Sequence, residues 1–265
     1  MDAVRQGRRE RSYPLDMGAT EDAASRSPAP HRDMADHSES SSTWEERAAR
    51  AMERHDDGAA RLPDDADERQ RQLTRMGNAA WAAGLSLLMA GRDEDGRVWL
   101  VRAAGRYRES WSNAPAGSWG RPIGAMKSRL IAGDREGALA DARWALGAGS
   151  AESDSPIGRY AAALAHLVRG EDEKAGALAV SLRDRDDLPR AVAGSLVALS
   201  SSDASAYETA IRELLDDFGG REDFLEDIPV ADTVLALQAL GARRGLAVML
   251  DSPLLPPTKR GRASA

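Results

Sequence analysis

Apolar residues recur every three or four positions from about residue 42 to residue 250, and polar runs interrupt them at regular intervals. That period buries one face of a helix. Ser42 or Thr43, with Glu45 or Glu46 three residues on, predicts a capped helix running to about His55, with Trp44, Ala48 and Met52 on one side. A polar link over 56–67 precedes a second helix over about 67–91, lined by Leu73, Met76, Ala80, Leu87 and Leu88. Gly91 suits the position just past its end. A turn over 92–95 then leads into a helix from about Gly96 to Trp111. No sustained alternation of period two competes, although Gly245–Leu250 has the makings of a short extended segment.

From residue 122 the pattern repeats. Pro122, Pro156, Pro189 and Pro229 each open an apolar-periodic stretch, at spacings of 34, 33 and 40 residues. Proline suits the first helical turn, where its missing N–H had no partner to lose. The stripes behind the prolines are Ile123, Met126, Leu130; Ile157, Ala161, Leu164, Val168; Val192, Leu196, Leu199; and Val230, Val234, Leu237. The turns that follow are Gly133-Asp134-Arg135-Glu136, Gly170-Glu171-Asp172-Glu173 and Ser201-Ser202-Asp203, each a helix stop and an acidic start for the next helix. Each unit is thus helix, tight turn, helix, the most regular being 122–149, 156–183 and 189–218, with a closing helix over 229–244. One such hairpin cannot bury its own apolar face, so neighbours must stack. The expected fold is all-α, a superhelix of antiparallel helical hairpins over 42–255.

The ends differ. Residues 1–41 mix Ser, Pro, Asp, Arg and His without an apolar period and are expected to be a disordered arm, in which Met17 and Met34 are alternative starts. Residues 256–265 carry Lys259, Arg260 and Arg262 and are expected to be a disordered basic tail. Arg8-Arg9 has no apolar run behind it, so no export signal is read there, and the expected location is cytoplasmic.

Composition narrows the function. With no cysteine, disulfides and cysteine-ligated metals are excluded. No apolar run is long enough to span a membrane. The net charge of −7 argues against nucleic acid as a partner. Arg outnumbers Lys 33 to 3, a bias that fits a GC-rich genome better than a binding surface. Nucleotide, zinc-protease and hydrolase motifs are missing. Asp93-Glu94-Asp95-Gly96 imitates a calcium loop, but the position for its closing Glu is Arg102. Asp184-Arg185-Asp186-Asp187 reads as an acidic turn, and His166 as a structural histidine. No catalytic residue, metal or cofactor is therefore expected.

One segment departs from the pattern. Although aromatic residues are only 5% of the chain, Tyr107, Trp111 and Trp119 fall within thirteen positions around a Pro/Gly loop. Arg108, Arg121 and Lys127 add charge, and Arg159 and Tyr160 occupy the matching place in the next unit. Trp, Tyr and Arg dominate binding hot spots. Tyr107, Trp111, Trp119, Arg121, Lys127, Arg159 and Tyr160 are the candidate partner-binding residues, against the alternative that the tryptophans staple the loop to the core. Trp144 is expected to pack on a neighbouring repeat.

The unit resembles the tetratricopeptide repeat, chiefly through Ala-Gly-Asp-Arg-Glu-Gly-Ala-Leu at 132–139, with aliphatic residues where the family's first helix carries Trp and Tyr. That resemblance implies a peptide or protein bound on a concave face. A second resemblance lies in Glu226-Asp227-Ile228-Pro229-Val230-Ala231-Asp232, then a helix, then Arg243-Arg244-Gly245-Leu246-Ala247-Val248 and Asp251-Ser252-Pro253-Leu254-Leu255-Pro256. It is similar to the ending of bacterial immunity proteins of the immunity protein 49 type, which implies neutralisation of a cognate polymorphic toxin. The expected function is a non-catalytic protein-interaction module, a monomer or weak homodimer. The alternatives are a toxin-neutralising protein, or a helical enzyme or ligand-binding domain using Asp134, Asp141, Glu226, Asp227 and Asp232.

Overall fold

The computed structural model describes residues 40–183, 185 and 188–257. Most of the N-terminal arm, residues 258–265 of the basic tail, and Asp184, Asp186 and Asp187 of the acidic turn lie outside the described residues. Among the described residues there are ten α-helices and no strand. They are α1 (Ser41–Ala60), α2 (Ala66–Met89), α3 (Asp93–Glu109), α4 (Gly120–Ala132), α5 (Arg135–Gly147), α6 (Pro156–Arg169), α7 (Asp172–Ser181), α8 (Arg190–Ser201), α9 (Ala204–Gly219) and α10 (Asp232–Ala242). The protein is all-α, and each helix from α1 to α9 packs on the next, a layout compatible with a helical repeat.

The turns follow the sequence reading. Gly133, Gly170 and Ser202 take left-handed conformations at the ends of α4, α6 and α8. The side chains of Asp134 and Asp203 then accept backbone N–H bonds from Gly137 and Ala206, capping α5 and α9. At Glu171 the acidic start serves differently. Hydrogen bonds from Arg169 and His166, which lies 2.6 Å away, hold its carboxyl down at about 2.

Several boundaries differ for physical reasons. α1 runs five residues past His55, because Gly58 still lies against Gln72 and Met76 of α2. Pro156 opens α6 as expected, but α4 begins two residues before Pro122 and Pro189 caps α8 from outside. Pro229 opens no helix. It sits in an extended stretch between the buried side chains of Ile228 and Val230, and α10 starts three residues later. α2 and α3 cross closely at Gly84, where a Cβ would meet Leu100 Cγ at 2.7 Å and Gly96 O at 3.0 Å.

The main departure is the position of the C-terminal segment. α4, α6 and α8 lie side by side as one row, and α10 packs across it, touching α4, α8 and α9. Every residue of α6 from Tyr160 to Val168 is buried, packed among α4, α5, α7 and α8. Toward the other end, Ile228 and Val230 join the apolar cluster of α2 and α3. Arg54 pairs with Glu226 at 2.8 Å, and Arg47 donates to the Asp227 carbonyl at 2.8 Å. Glu226 and Asp227 hold consecutive positive φ angles of 54° and 57°, unusual outside glycine. This sharp reversal turns the chain back along the row. Asp232 pairs with Lys127 of α4 at 2.6 Å, and Tyr207 of α9 donates to Gln238 at 3.1 Å. Arg244 donates to Leu167 O at 2.8 Å and meets Asp172 at 2.5 Å. Residues 225–244 are thus tied to α1, α4, α6, α7 and α9.

Candidate functional site

The segment 107–121 is built outward from the end of α3. Tyr107 is fully buried, and its hydroxyl donates to Asn78 Oδ1 of α2 at 3.0 Å. Ser110 caps the turn by donating to Tyr107 O at 2.7 Å, and a 3-10 turn over 110–113 follows. The loop over 114–118 then crosses Gly117, whose φ of 81° requires glycine's freedom. Trp119, 8% exposed, ends the loop inside the core of α4 and α6.

Three tryptophans meet here. Trp111 lies 5.6 Å from Trp119 and 5.5 Å from Trp144 of α5, the latter pair edge-to-face at 85°. Trp144 therefore packs on the α3–α4 connection, as a residue facing a neighbouring unit should. The guanidinium of Arg108 stands over the Trp144 ring at 5.2 Å and donates to Asp141 at 2.9 Å. Arg129 approaches the same carboxylate at 3.2 Å. Burial pushes the Asp141 carboxyl up, and the two guanidinium groups offset part of that rise. Trp111, Trp144 and Arg108 keep partly or largely exposed surface, giving an aromatic and cationic patch where side chains of α3, the turn after it and α5 meet.

The expected binding residues do not form one surface. Tyr107, Trp119, Arg121 and Tyr160 are all buried. In this conformation the first two fasten the loop to the core, which is the staple arrangement, and Tyr160 lies in the core shared by α4, α6 and α8. Lys127 is 14% exposed and engaged with Asp232 and with Thr233 Oγ1, so it anchors α10. Arg159 donates to Ser153 O at 3.3 Å on the α5–α6 connection. Of the seven, Trp111 belongs to the exposed patch. Arg108 and Trp144 complete it. Both were visible in the sequence, but only the fold brings Trp144 across to Trp111.

Arg121 is unusual among the buried groups. Its Nε donates to Thr74 Oγ1 at 3.2 Å and one terminal nitrogen donates to Gln70 Oε1. The other, Nη1, has no partner, and burial alone lowers its pKa. Gln70 and Thr74 escaped the sequence reading. The signal was two polar residues four apart beside the buried stripe of Leu73 and Met76.

The carboxylates proposed for an enzymatic alternative are dispersed. Asp134 caps α5 and Asp141 sits between two arginines. Glu226, pushed up by burial, meets Arg54, while Asp232 meets Lys127. Among the described residues no group of three His, Asp or Glu side chains could hold a metal ion. No helix described is long and apolar enough to cross a membrane. No family model matches the chain, and neither a curated protein nor a solved structure gives a significant match.

Proposed function

We propose that the chain is a non-catalytic protein-binding module of tetratricopeptide-like build, acting in the cytoplasm as a monomer or weak homodimer. Its partner docks on the outer patch of Trp111, Trp144 and Arg108. The observation that carries this reading is the covered inner row. Since α10 packs on α4 and α8 of that row and residues 160–168 of α6 are buried, a partner needs another surface. The patch has the composition of a hot spot, two tryptophans and an arginine held in place by Asp141. A surface fixed before binding also loses little conformational entropy on association.

A pre-formed outer surface suits one dedicated partner better than a series of extended peptides. It therefore also favours the second reading, neutralisation of a cognate toxin. Of the residues that carry that resemblance, 226–232 lead into α10, and Leu254 accepts a backbone hydrogen bond from Ala231 N at 2.9 Å.

The test is affinity capture from native extract with the full chain, beside a Trp144→Ala/Arg108→Ala variant. The wild type should retain one stoichiometric protein, and the variant should bind it at least tenfold more weakly, as loss of hot-spot residues implies. Undiminished capture by the variant would contradict the assignment. A secreted-toxin domain as the captured protein would establish the neutralising role.

A further inference from the structure

We propose that Arg121 is an anion-recognition group that takes a carboxylate from an acidic side chain of the bound protein. The inference rests on the protein-binding reading for the class of partner, and on the structure for the chemistry. Arg121 is 9% exposed, yet its two hydrogen-bond partners, Gln70 and Thr74, are both neutral. Nη1 is enclosed and makes no hydrogen bond. A buried guanidinium without a counter-charge is costly, and such a group is retained where something pairs with it.

The surroundings favour an anion. Arg121 is the second residue of α4, a helix of 13 residues, so the positive end of that helix lies beside it. Pro122 supplies no N–H, which leaves the guanidinium as the principal donor. One guanidinium with one free nitrogen balances one negative charge, which matches a carboxylate better than a dianionic phosphate.

The loop over 114–118 shortly precedes Arg121 in the chain. Among the described residues its hydrogen bonds are local ones, such as Ala114 N to Trp111 O and Ser118 N and Oγ to Pro115 O. None ties it to a distant helix. Pro115, Ala116 and Gly117 are exposed, and Thr74 is only half-buried. Trp111, at the base of this loop, also belongs to the docking patch and lies 5.6 Å from Trp119, two residues before Arg121.

The experiment uses the full chain and needs no partner. Thermal unfolding is followed while chloride is replaced by acetate, succinate or inorganic phosphate at constant ionic strength. Wild type should gain about 2–4 °C in excess acetate or succinate. Arg121→Met should show no such gain, and its midpoint in chloride should equal or exceed that of wild type, because an unpaired charge has been replaced by an apolar side chain. Arg121→Gln keeps a polar contact for Thr74, removes the charge and should also lose the response. A wild type that ignores all three anions would overturn the proposal. So would Arg121→Met melting well below wild type, which marks a structural arginine. A larger gain in phosphate than in succinate would overturn the carboxylate assignment. If the anion response fails while the Trp144/Arg108 variant still loses its captured partner, the docking patch stands without Arg121.

Discussion

Leu237→Ala will destabilise the protein by about 2–5 kcal/mol, the range for emptying a buried leucine position. Leu237 is fully buried on α10, within the same apolar cluster as Leu164 of α6 and Leu196 of α8. Leu196→Ala on α8 provides the scale. Both substitutions should fall within that range in urea unfolding, the difference between them reflecting how far each site collapses. A cost below about 1 kcal/mol for Leu237→Ala alone would mean that α10 is a removable cover.

Lys127→Met will cost about 3 kcal/mol by leaving the Asp232 carboxylate buried without its cation. This is the low end of the range for breaking a buried pair, because the two side chains keep 14% and 11% exposure. Thr233 Oγ1 stays at 3.2 Å as a donor to Asp232, which is a weaker compensation than an ammonium group. The double variant Lys127→Met/Asp232→Leu should recover most of the loss, since apolar replacement of both partners removes the desolvation cost as well. A double-mutant cycle in urea measures the coupling. If the single variant loses less than about 1 kcal/mol, the pair behaves as a surface ion pair and α10 is anchored by apolar contacts alone.

The repeating part of this fold is legible because it is local. Gly133-Asp134, Gly170-Glu171 and Ser202-Asp203 each stop one helix and start another within two residues. The stripe of Leu164 and Val168 states that a face is buried without naming what buries it. That is why the path of α10 escaped the reading. Val230, Val234 and Leu237 look like one more repeat, whereas Val230 joins the cluster of α2 and α3, and Val234 and Leu237 join that of α4, α6 and α8. The spacing of 40 residues from Pro189 to Pro229 was the available sign. It makes room for the reversal at Glu226 and Asp227, which a repeat unit would not need.

The candidate site was half legible for a related reason. A tryptophan that staples a loop and one that binds a partner have the same sequence signature, since both combine a large apolar ring with a nearby turn. Trp119 went inward because it precedes α4, whose buried side faces α6. Trp111 stayed partly outside because it lies on the 3-10 turn before the loop. Arg121 stood out by residue type, but its neutral neighbours Gln70 and Thr74 come from 47 to 51 residues away. Contacts of that range follow from packing and not from local spacing.

Hydrogen exchange across the chain tests the covered inner face most directly. Residues 232–242 of α10 should exchange as slowly as 160–168 of α6, both opening only with global unfolding. Exchange in α10 faster by orders of magnitude than in α6 would mean that the segment leaves the row while the repeats stay folded. The inner groove would then be available to a partner, contradicting the account.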